Sequence, residues 1–123
     1  MGDYGEKVAV DWLRTQNCKV LARNFKAMRG GEVDIVAREG EQLLFIEVKT
    51  RRKNSQIRGL AAVNRKKQNL IRRGANEWLR RIGSRELPWR FDVIEVEVEE
   101  GYLPEVKRIE NVFGSVESVR NYR

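Results

Sequence analysis

Histidine is absent from this chain of 123 residues, and its absence excludes more chemistry than any other feature of the composition. Without imidazole there is no histidine general base, no Ser-His or Cys-His nucleophile pair, and little scope for a transition-metal site. Cys18 is the only cysteine, which excludes a disulfide framework and cysteine-based zinc sites. Hydrolytic chemistry would have to use carboxylates, lysines and oxygen-ligated cations such as Mg²⁺.

Long apolar runs are missing as well. No segment approaches the roughly 20 apolar residues that span a bilayer, and no signal peptide opens the chain. We therefore expect a cytoplasmic protein with no membrane partner. The length predicts a single domain over residues 1–123, with a core that needs no disulfide or metal to hold it together.

Positive charge is concentrated in one block. The chain has a net charge of +7, and residues 51–85 carry 12 basic side chains against one acidic side chain, Glu77. Residues 86–123 have the opposite balance, with 5 basic and 9 acidic side chains. A basic block is typical of proteins that bind polyanions, nucleic acid above all. The alternative is a solvated helix face that serves only solubility.

Hydrophobic periodicity predicts the elements of the first half of the chain. A helix follows Asp3 and runs to about Gln16, and a strand covers residues 19–25. Residues 32–37 and 43–50 are rich in branched side chains and are joined by a tight connection, which predicts an antiparallel hairpin.

The second half of the chain begins with a long helix, which starts near residue 56 or 64 and ends near residue 82. A strand over residues 90–98 follows, with one buried face and with Glu95 and Glu97 facing water. A partner strand over residues 103–109 and a short helix over residues 115–120 complete the prediction.

Charged side chains interrupt both strands of the predicted hairpin. Asp34 lies in Glu32-Val33-Asp34-Ile35-Val36, and the next strand contains Phe45-Ile46-Glu47-Val48-Lys49. Side chains alternate along a strand, so Glu47 and Lys49 share a face. Asp34 can point to the same side, where paired carboxylates favour a bound cation or a shared proton. The alternative is a buried salt bridge between Lys49 and one of the acids.

Lys67 falls in the middle of the apolar face of the long helix. One interpretation is that its stem covers apolar surface and the ammonium lies in water. The alternative is that the ammonium is aimed at the carboxylates or at a phosphate. Gly74 lies on the same face, which predicts a close approach of this helix to the sheet.

A longer series of residues matches a known family in the same order. It comprises Gly5-Glu6, Ala9, Asn24, Gly31-Glu32-Val33-Asp34-Ile35-Val36-Ala37, Phe45-Ile46-Glu47-Val48-Lys49-Thr50-Arg51, Lys67-Gln68 and Arg90-Phe91-Asp92-Val93. With these residues the chain resembles the YraN-like (UPF0102-type) family, which is similar to PD-(D/E)xK nucleases and archaeal Holliday junction resolvases.

The resemblance implies an α/β fold with a restriction-endonuclease-like core, a mixed β-sheet flanked by helices in the order α-β-β-β-α-β. It implies that Asp34, Glu47 and Lys49 are catalytic. Asp34 and Glu47 would bind Mg²⁺ or Mn²⁺, with Glu6 as an additional metal ligand. Resolvase-like folds often dimerise, so a homodimer is compatible with the resemblance.

The leading hypothesis is a metal-dependent endonuclease that hydrolyses phosphodiesters in branched, flapped or junction DNA, with RNA left open as a substrate. The side chains expected to contact nucleic acid are Arg51, Arg52, Lys53, Lys67 and Gln68. One alternative is a module on the same fold that binds nucleic acid without cleaving it. Another is an interaction protein in which the acidic residues 86–123 meet the basic block of a second copy.

Overall fold

The computed structural model describes residues 2–53, 65–83 and 87–110. These residues form two helices and five strands in the order α-β-β-β-α-β-β, which confirms the predicted α/β class. The predicted helical residues 56–64 and the predicted helix over residues 115–120 lie outside them. In chain order the elements are α1 (Gly2–Thr15), β1 (Lys19–Lys26), β2 (Glu32–Glu39), β3 (Gln42–Arg52), α2 (Arg65–Ile82), β4 (Trp89–Val98) and β5 (Glu105–Ile109).

The strands form one mixed sheet in the order β1-β2-β3-β4-β5. Neighbouring strands are antiparallel except for β3 and β4, which are parallel. A parallel pair needs a crossover between its strands, and α2 lies in that connection. The predicted hairpin of β2 and β3 is confirmed.

Each helix covers one face of the sheet. Along β3, Leu44 and Ile46 pack into the cluster that contains α1, whereas Leu43 and Phe45 pack into the cluster that contains α2. The same alternation places Glu47 and Lys49 on the face of α2. Neither helix in the described part of the chain is both long and apolar enough to cross a bilayer.

The prediction that one face of β4 meets water is wrong. Residues 91–96 are all buried, and Glu95 is only 7% exposed. The strand lies inside the sheet, between β3 and β5, and hydrophobic clusters that include the two helices pack on the two faces of the sheet. Neither face of this strand is therefore open to water over residues 91–96. Arg51 Nε lies 3.8 Å from Glu95 Oε1 and partly compensates its charge. Glu97, by contrast, is half-buried.

Gly74 brings α2 close to the start of β2, as predicted. A Cβ at this position would lie 2.7 Å from Val33 Cγ2 and 3.2 Å from the backbone of Glu32. Gly31 makes the reciprocal contact, because a Cβ there would clash with the backbone of Arg73 and Gly74. The helix and the turn before β2 therefore touch backbone to backbone, which fixes the helix relative to the strand that carries Asp34.

Candidate functional site

Asp34 and Glu47, here called the acid pair, lie where the pairing of β2 with β3 ends. Ile35 pairs with Ile46 at the end of the ladder. Asp34 comes directly before Ile35 and Glu47 directly after Ile46, so both acids lie just beyond that last pair. There the Val48 amide donates a hydrogen bond of 2.9 Å to Asp34 Oδ2. The Asp34 carboxylate thus accepts a hydrogen bond from a backbone amide that lies beyond the end of the ladder. This bond holds Asp34 beside β3.

Glu47 is almost completely buried, with 3% of its surface exposed. Burial is the main cause that raises the pKa of Glu47 to about 7, since the charged form loses its hydration. Asp34 raises this pKa further through its charge and through a hydrogen bond between the carboxyl groups, while the ammonium groups of Lys67 and Lys49 act in the opposite direction. Near neutral pH the acid pair is therefore poised to hold either a proton or a cation.

Lys49 lies beside Glu47 on the same face of β3, as the alternation of side chains predicts. Its Nζ atom is 3.4 Å from Glu47 Oε1, and 24% of the side chain is exposed. An ion pair of Lys49 with one of the acids, the alternative indicated by the sequence, is thus present, with Glu47 as the partner. Partial exposure leaves the ammonium within reach of a bound ligand.

Lys67 brings a second ammonium to the acid pair from α2. Its Nζ atom lies 3.4 Å from Glu47 Oε1 and 3.1 Å from Glu32 Oε1. Burial lowers the pKa of Lys67, but the carboxylates of Glu47 and Glu32 outweigh it and raise the pKa overall. The sequence left open whether the Lys67 ammonium lies in water or is aimed at the carboxylates or a phosphate. In the structure it is aimed at carboxylates. Glu32 was not predicted, although its position two residues before Asp34 was a signal.

Glu6 reaches the neighbourhood of Asp34 from α1. The helix packs tightly here, because a Cβ on Gly5 would clash with the side chain of Thr50 on β3. Burial and the charge of Asp34 raise the pKa of Glu6, while a hydrogen bond from the Asn24 side chain lowers it. Asn24 has a φ of 52°, a left-handed conformation that asparagine tolerates better than most residues.

The donor set of the acid pair fits a hard divalent cation. Mg²⁺ is typically bound by one or two protein carboxylates and keeps several of its waters. The charge of Asp34 disfavours the charged form of Glu47, and a cation bound between the two carboxylates would relieve this repulsion. Within the described ranges, no three acidic or cysteine side chains lie close enough together to hold one metal ion. In this part of the chain Glu6, although it is near Asp34, does not complete a three-acid cluster with the acid pair.

The side chains predicted to contact nucleic acid differ in their surroundings. Arg51 Nη2 lies 3.2 Å from Glu97 Oε2, and Lys53 Nζ lies 3.4 Å from Glu99 Oε2. Acidic side chains of β4 and the turn after it thus neutralise both cations. Of the remaining candidates, Arg52 is exposed at the end of β3, Gln68 is half-buried on α2, and Lys67 faces the acid pair.

A second charge cluster lies on the α1 face of the sheet and was not predicted. The Asp92 side chain is fully buried between Arg90, at 3.0 Å, and Arg108, at 3.1 Å. Arg108 also donates two hydrogen bonds of 3.1 Å to Glu39. Asp92 lies directly beside Ile46 but belongs to the opposite face from Glu47. Its arginine partners are satisfied within the fold, which indicates a structural role.

A family model described as "Uncharacterised protein family UPF0102" matches residues 5–96. The chain belongs to UPF0102. The matched residues include Glu6, both members of the acid pair, Lys49 and Lys67. This membership confirms the resemblance stated from the sequence.

Relatives of this UPF0102 protein are similar over nearly their whole length. A protein from Trichlorobacter lovleyi is 42% identical over 114 residues, 92% of this chain and 89% of that protein. One from Geobacter sulfurreducens is 41% identical, covering 92% and 88% of the two chains. One from Rhodococcus jostii is 37% identical, covering 92% and 95%. Each is named as a UPF0102 protein, without an activity.

Proposed function

We propose that this UPF0102 protein is a metal-dependent endonuclease that hydrolyses phosphodiester bonds in branched, flapped or junction DNA. The acid pair carries the proposal: Asp34 and Glu47 come directly after the last pair of the ladder between β2 and β3, Glu47 is buried, and the ammonium groups of two lysines lie 3.4 Å from its carboxylate. Buried acids are rare unless they are paired or bind a metal, and buried ion pairs add little stability. Chemistry accounts for this arrangement better than stability does.

The side chains around the acid pair suit phosphodiester hydrolysis. A bound Mg²⁺ or Mn²⁺ polarises a phosphodiester and lowers the pKa of the attacking water. Asp34, held in place by the Val48 amide, and Glu47 supply carboxylate oxygens for the cation. The partly exposed ammonium of Lys49 can stabilise negative charge that develops on the phosphate. None of these roles requires histidine.

Selection of branched DNA would come from shape. Contacts between cationic side chains and phosphates fix the position of a nucleic acid but carry no sequence information. The deformability of the substrate then decides which nucleic acid fits the site, and junctions and flaps bend more readily than continuous duplex.

A cleavage panel tests the proposal. Labelled four-way junction, flap, duplex and single-stranded DNA, together with RNA, are incubated in Mg²⁺, Mn²⁺ or EDTA. We expect metal-dependent cutting of the branched substrates that falls at least about 100-fold in Asp34→Asn. Asp11→Asn, the same change at an exposed position of α1, is the matched control and should cut like the wild type. Cutting that survives Asp34→Asn would contradict the assignment.

Metal binding has a readout that does not depend on cleavage. A ligand that binds only the folded state raises the melting temperature. Mn²⁺ should therefore raise the melting temperature of the wild type and of Asp11→Asn, but not that of Glu47→Gln. An equal rise in all three proteins would place the ion elsewhere.

A non-cleaving nucleic-acid-binding module is the second candidate. The observation that favours it is that Glu6 does not join the acid pair in a three-acid cluster within the described residues. This candidate predicts salt-sensitive DNA binding that Asp34→Asn leaves unchanged, with no cutting of any substrate in either metal.

A further inference from the structure

A row of polar and cationic side chains runs along the side of α2 that faces away from the sheet. Its members are all exposed, and from Lys66 onward they recur every three or four residues, which places them on one stripe of a helix with about 3.6 residues per turn. They are Arg65, Lys66, Asn69, Arg73, Asn76 and Arg80. The stripe is separate from the face that carries Lys67 toward the acid pair.

Arg29, in the turn between β1 and β2, joins this row at a groove. The groove has a volume of about 210 Å³ and is lined by Ala27, Arg29, Arg73, Asn76, Glu77 and Arg80. Gly31 holds the turn against the backbone of α2, so the two walls keep a fixed relation to each other. Three arginines from two elements therefore converge on one space.

Positive charge in this groove exceeds negative charge. Glu77, its one carboxylate, already forms ion pairs with Arg80 and with Arg81, the latter at 2.8 Å. In the described part of the chain, neither Arg29 nor Arg73 has a carboxylate within ion-pair distance. Cations brought together in this way repel one another unless an anion joins them. A guanidinium group presents a planar fork of donors that matches the oxygens of a phosphate.

We propose that the groove between Arg29 and Arg73 binds a phosphate of the nucleic-acid backbone, as a second contact outside the acid pair. The identity of the ligand as nucleic acid rests on the proposed function. Arg29 precedes Asp34 by five residues, so their Cα atoms are at most about 18 Å apart. B-DNA carries a phosphate every 3.4 Å or so along each strand, so one duplex can reach both places.

The surroundings of the other cations support this assignment. Arg51, near the end of β3, and Lys53, just after β3, are already neutralised by carboxylates within β4 and directly after it. Lys67 is held by Glu32 and Glu47. Arg29 and Arg73 are exposed and converge on a space that a phosphate can enter.

Binding of a labelled 20-base-pair duplex in EDTA tests the proposal with the full chain. Arg29→Ala/Arg73→Ala should weaken binding about tenfold at low salt and reduce the slope of log K against log salt by about 2. Arg14→Ala/Lys19→Ala removes the same charge from the far end of α1 and the start of β1, and should leave the slope unchanged. Arg29→Lys/Arg73→Lys keeps the charge but loses the planar fork, so it should keep the slope and bind more weakly.

Several outcomes would overturn the proposal. They are an unchanged slope in the double alanine variant, or an equal decrease in the control. Sedimentation at low salt adds a third: self-association that the alanine variant abolishes, with DNA binding intact, would assign the groove to the acidic surface of a second copy. Melting temperatures establish that each variant is folded, and the lysine variant keeps the test decisive if the alanine variant is destabilised.

The outcomes for binding and for cleavage can be told apart. Because EDTA removes the metal, the binding experiment does not depend on catalysis. A protein that binds as expected but cuts nothing contradicts only the nuclease proposal. A protein that cuts DNA while the double alanine variant binds normally contradicts only the phosphate groove.

Discussion

Lys67 Nζ lies 3.4 Å from Glu47 Oε1 and so joins α2 to the buried acid of β3. The same ammonium reaches Glu32 Oε1 at 3.1 Å, at the start of β2. One cation thus links three elements at the point where the acid pair lies. The position of α2 and the charge state of Glu47 therefore depend on each other.

Removal of this cation should destabilise the protein in a pH-dependent way. Lys67→Ala should lower the free energy of unfolding by about 1–3 kcal/mol at pH 8, where Glu47, with a pKa of about 7, is mainly ionised. At pH 5 Glu47 is protonated, and the loss should be smaller. Urea unfolding at the two pH values measures both. Lys66→Ala, at the exposed neighbouring position, should change stability by less than about 0.5 kcal/mol. Equal losses at both pH values would contradict the prediction.

Glu47 itself should make the protein less stable as the pH rises in EDTA. Its pKa in the folded state is raised from 4.5 to about 7, so the folded protein keeps a proton that the unfolded chain releases. The stability that this proton contributes is fully present below pH 4.5 and is lost as the pH rises through about 7. At about 1.4 kcal/mol per pKa unit, the loss is on the order of 3 kcal/mol.

Glu47→Gln stays uncharged and should therefore lack this part of the pH dependence. The difference in free energy of unfolding between Glu47→Gln and the wild type should grow in favour of the variant from pH 4.5 to pH 8. Denaturant unfolding of both proteins across this range measures it, with the exposed Glu41→Gln as control. Parallel stability curves for Glu47→Gln and the wild type would refute the assignment.

Gly74 should not tolerate alanine. In an exposed helix interior this change stabilises by roughly 1 kcal/mol, because alanine is the better helix former. Here the new Cβ would lie 2.7 Å from Val33 Cγ2, so we expect a net loss of about 1–3 kcal/mol. Asn76→Ala, at an exposed position of the same helix, should be neutral or slightly stabilising. Urea unfolding decides the sign, and a more stable Gly74→Ala protein would show that α2 has room to move.

The acid pair was predictable because it depends on local patterns. Branched residues in two neighbouring runs predict β2 and β3, and a short antiparallel connection brings Asp34 level with Glu47. The alternation of side chains then places Lys49 beside Glu47. The prediction for Glu95 failed, because it assumed that an acidic side chain in a strand faces water. Arg51, on the neighbouring strand, pairs with Glu95 instead, and no local pattern contains that contact.

Contacts between residues far apart in the chain account for what the sequence did not reveal. Arg108 and Glu39 are 69 positions apart, and only the order of the strands brings them together. The groove between Arg29 and Arg73 depends in the same way on the contact of a turn with α2. The basic block indicated that α2 carries charge, but the ion pairs of the folded protein decide which of its cations are neutralised.

Asp34 and Asp92, the two aspartates among the residues that match the family, should have different roles: metal binding for Asp34 and stability for Asp92. The Asp92 side chain is fully buried and lies within 3.1 Å of Arg90 and Arg108. Asp92→Asn leaves these two cations without their shared carboxylate, which should cost about 3–5 kcal/mol of stability. Asp34→Asn relieves repulsion with Glu47, so it should abolish metal binding at little cost in stability.

Denaturant unfolding combined with the Mn²⁺ thermal shift measures both effects in the same samples. Glu110→Gln is the control for the charge cluster, because this exposed carboxylate contacts Arg90 at 3.2 Å and should contribute less than about 1 kcal/mol. If enough Asp92→Asn protein remains folded, its melting temperature should still rise with Mn²⁺, because Asp92 lies on the opposite face of the sheet from Glu47. A stable Asp92→Asn protein that no longer responds to Mn²⁺ would reverse the two assignments and make Asp92 part of the metal site.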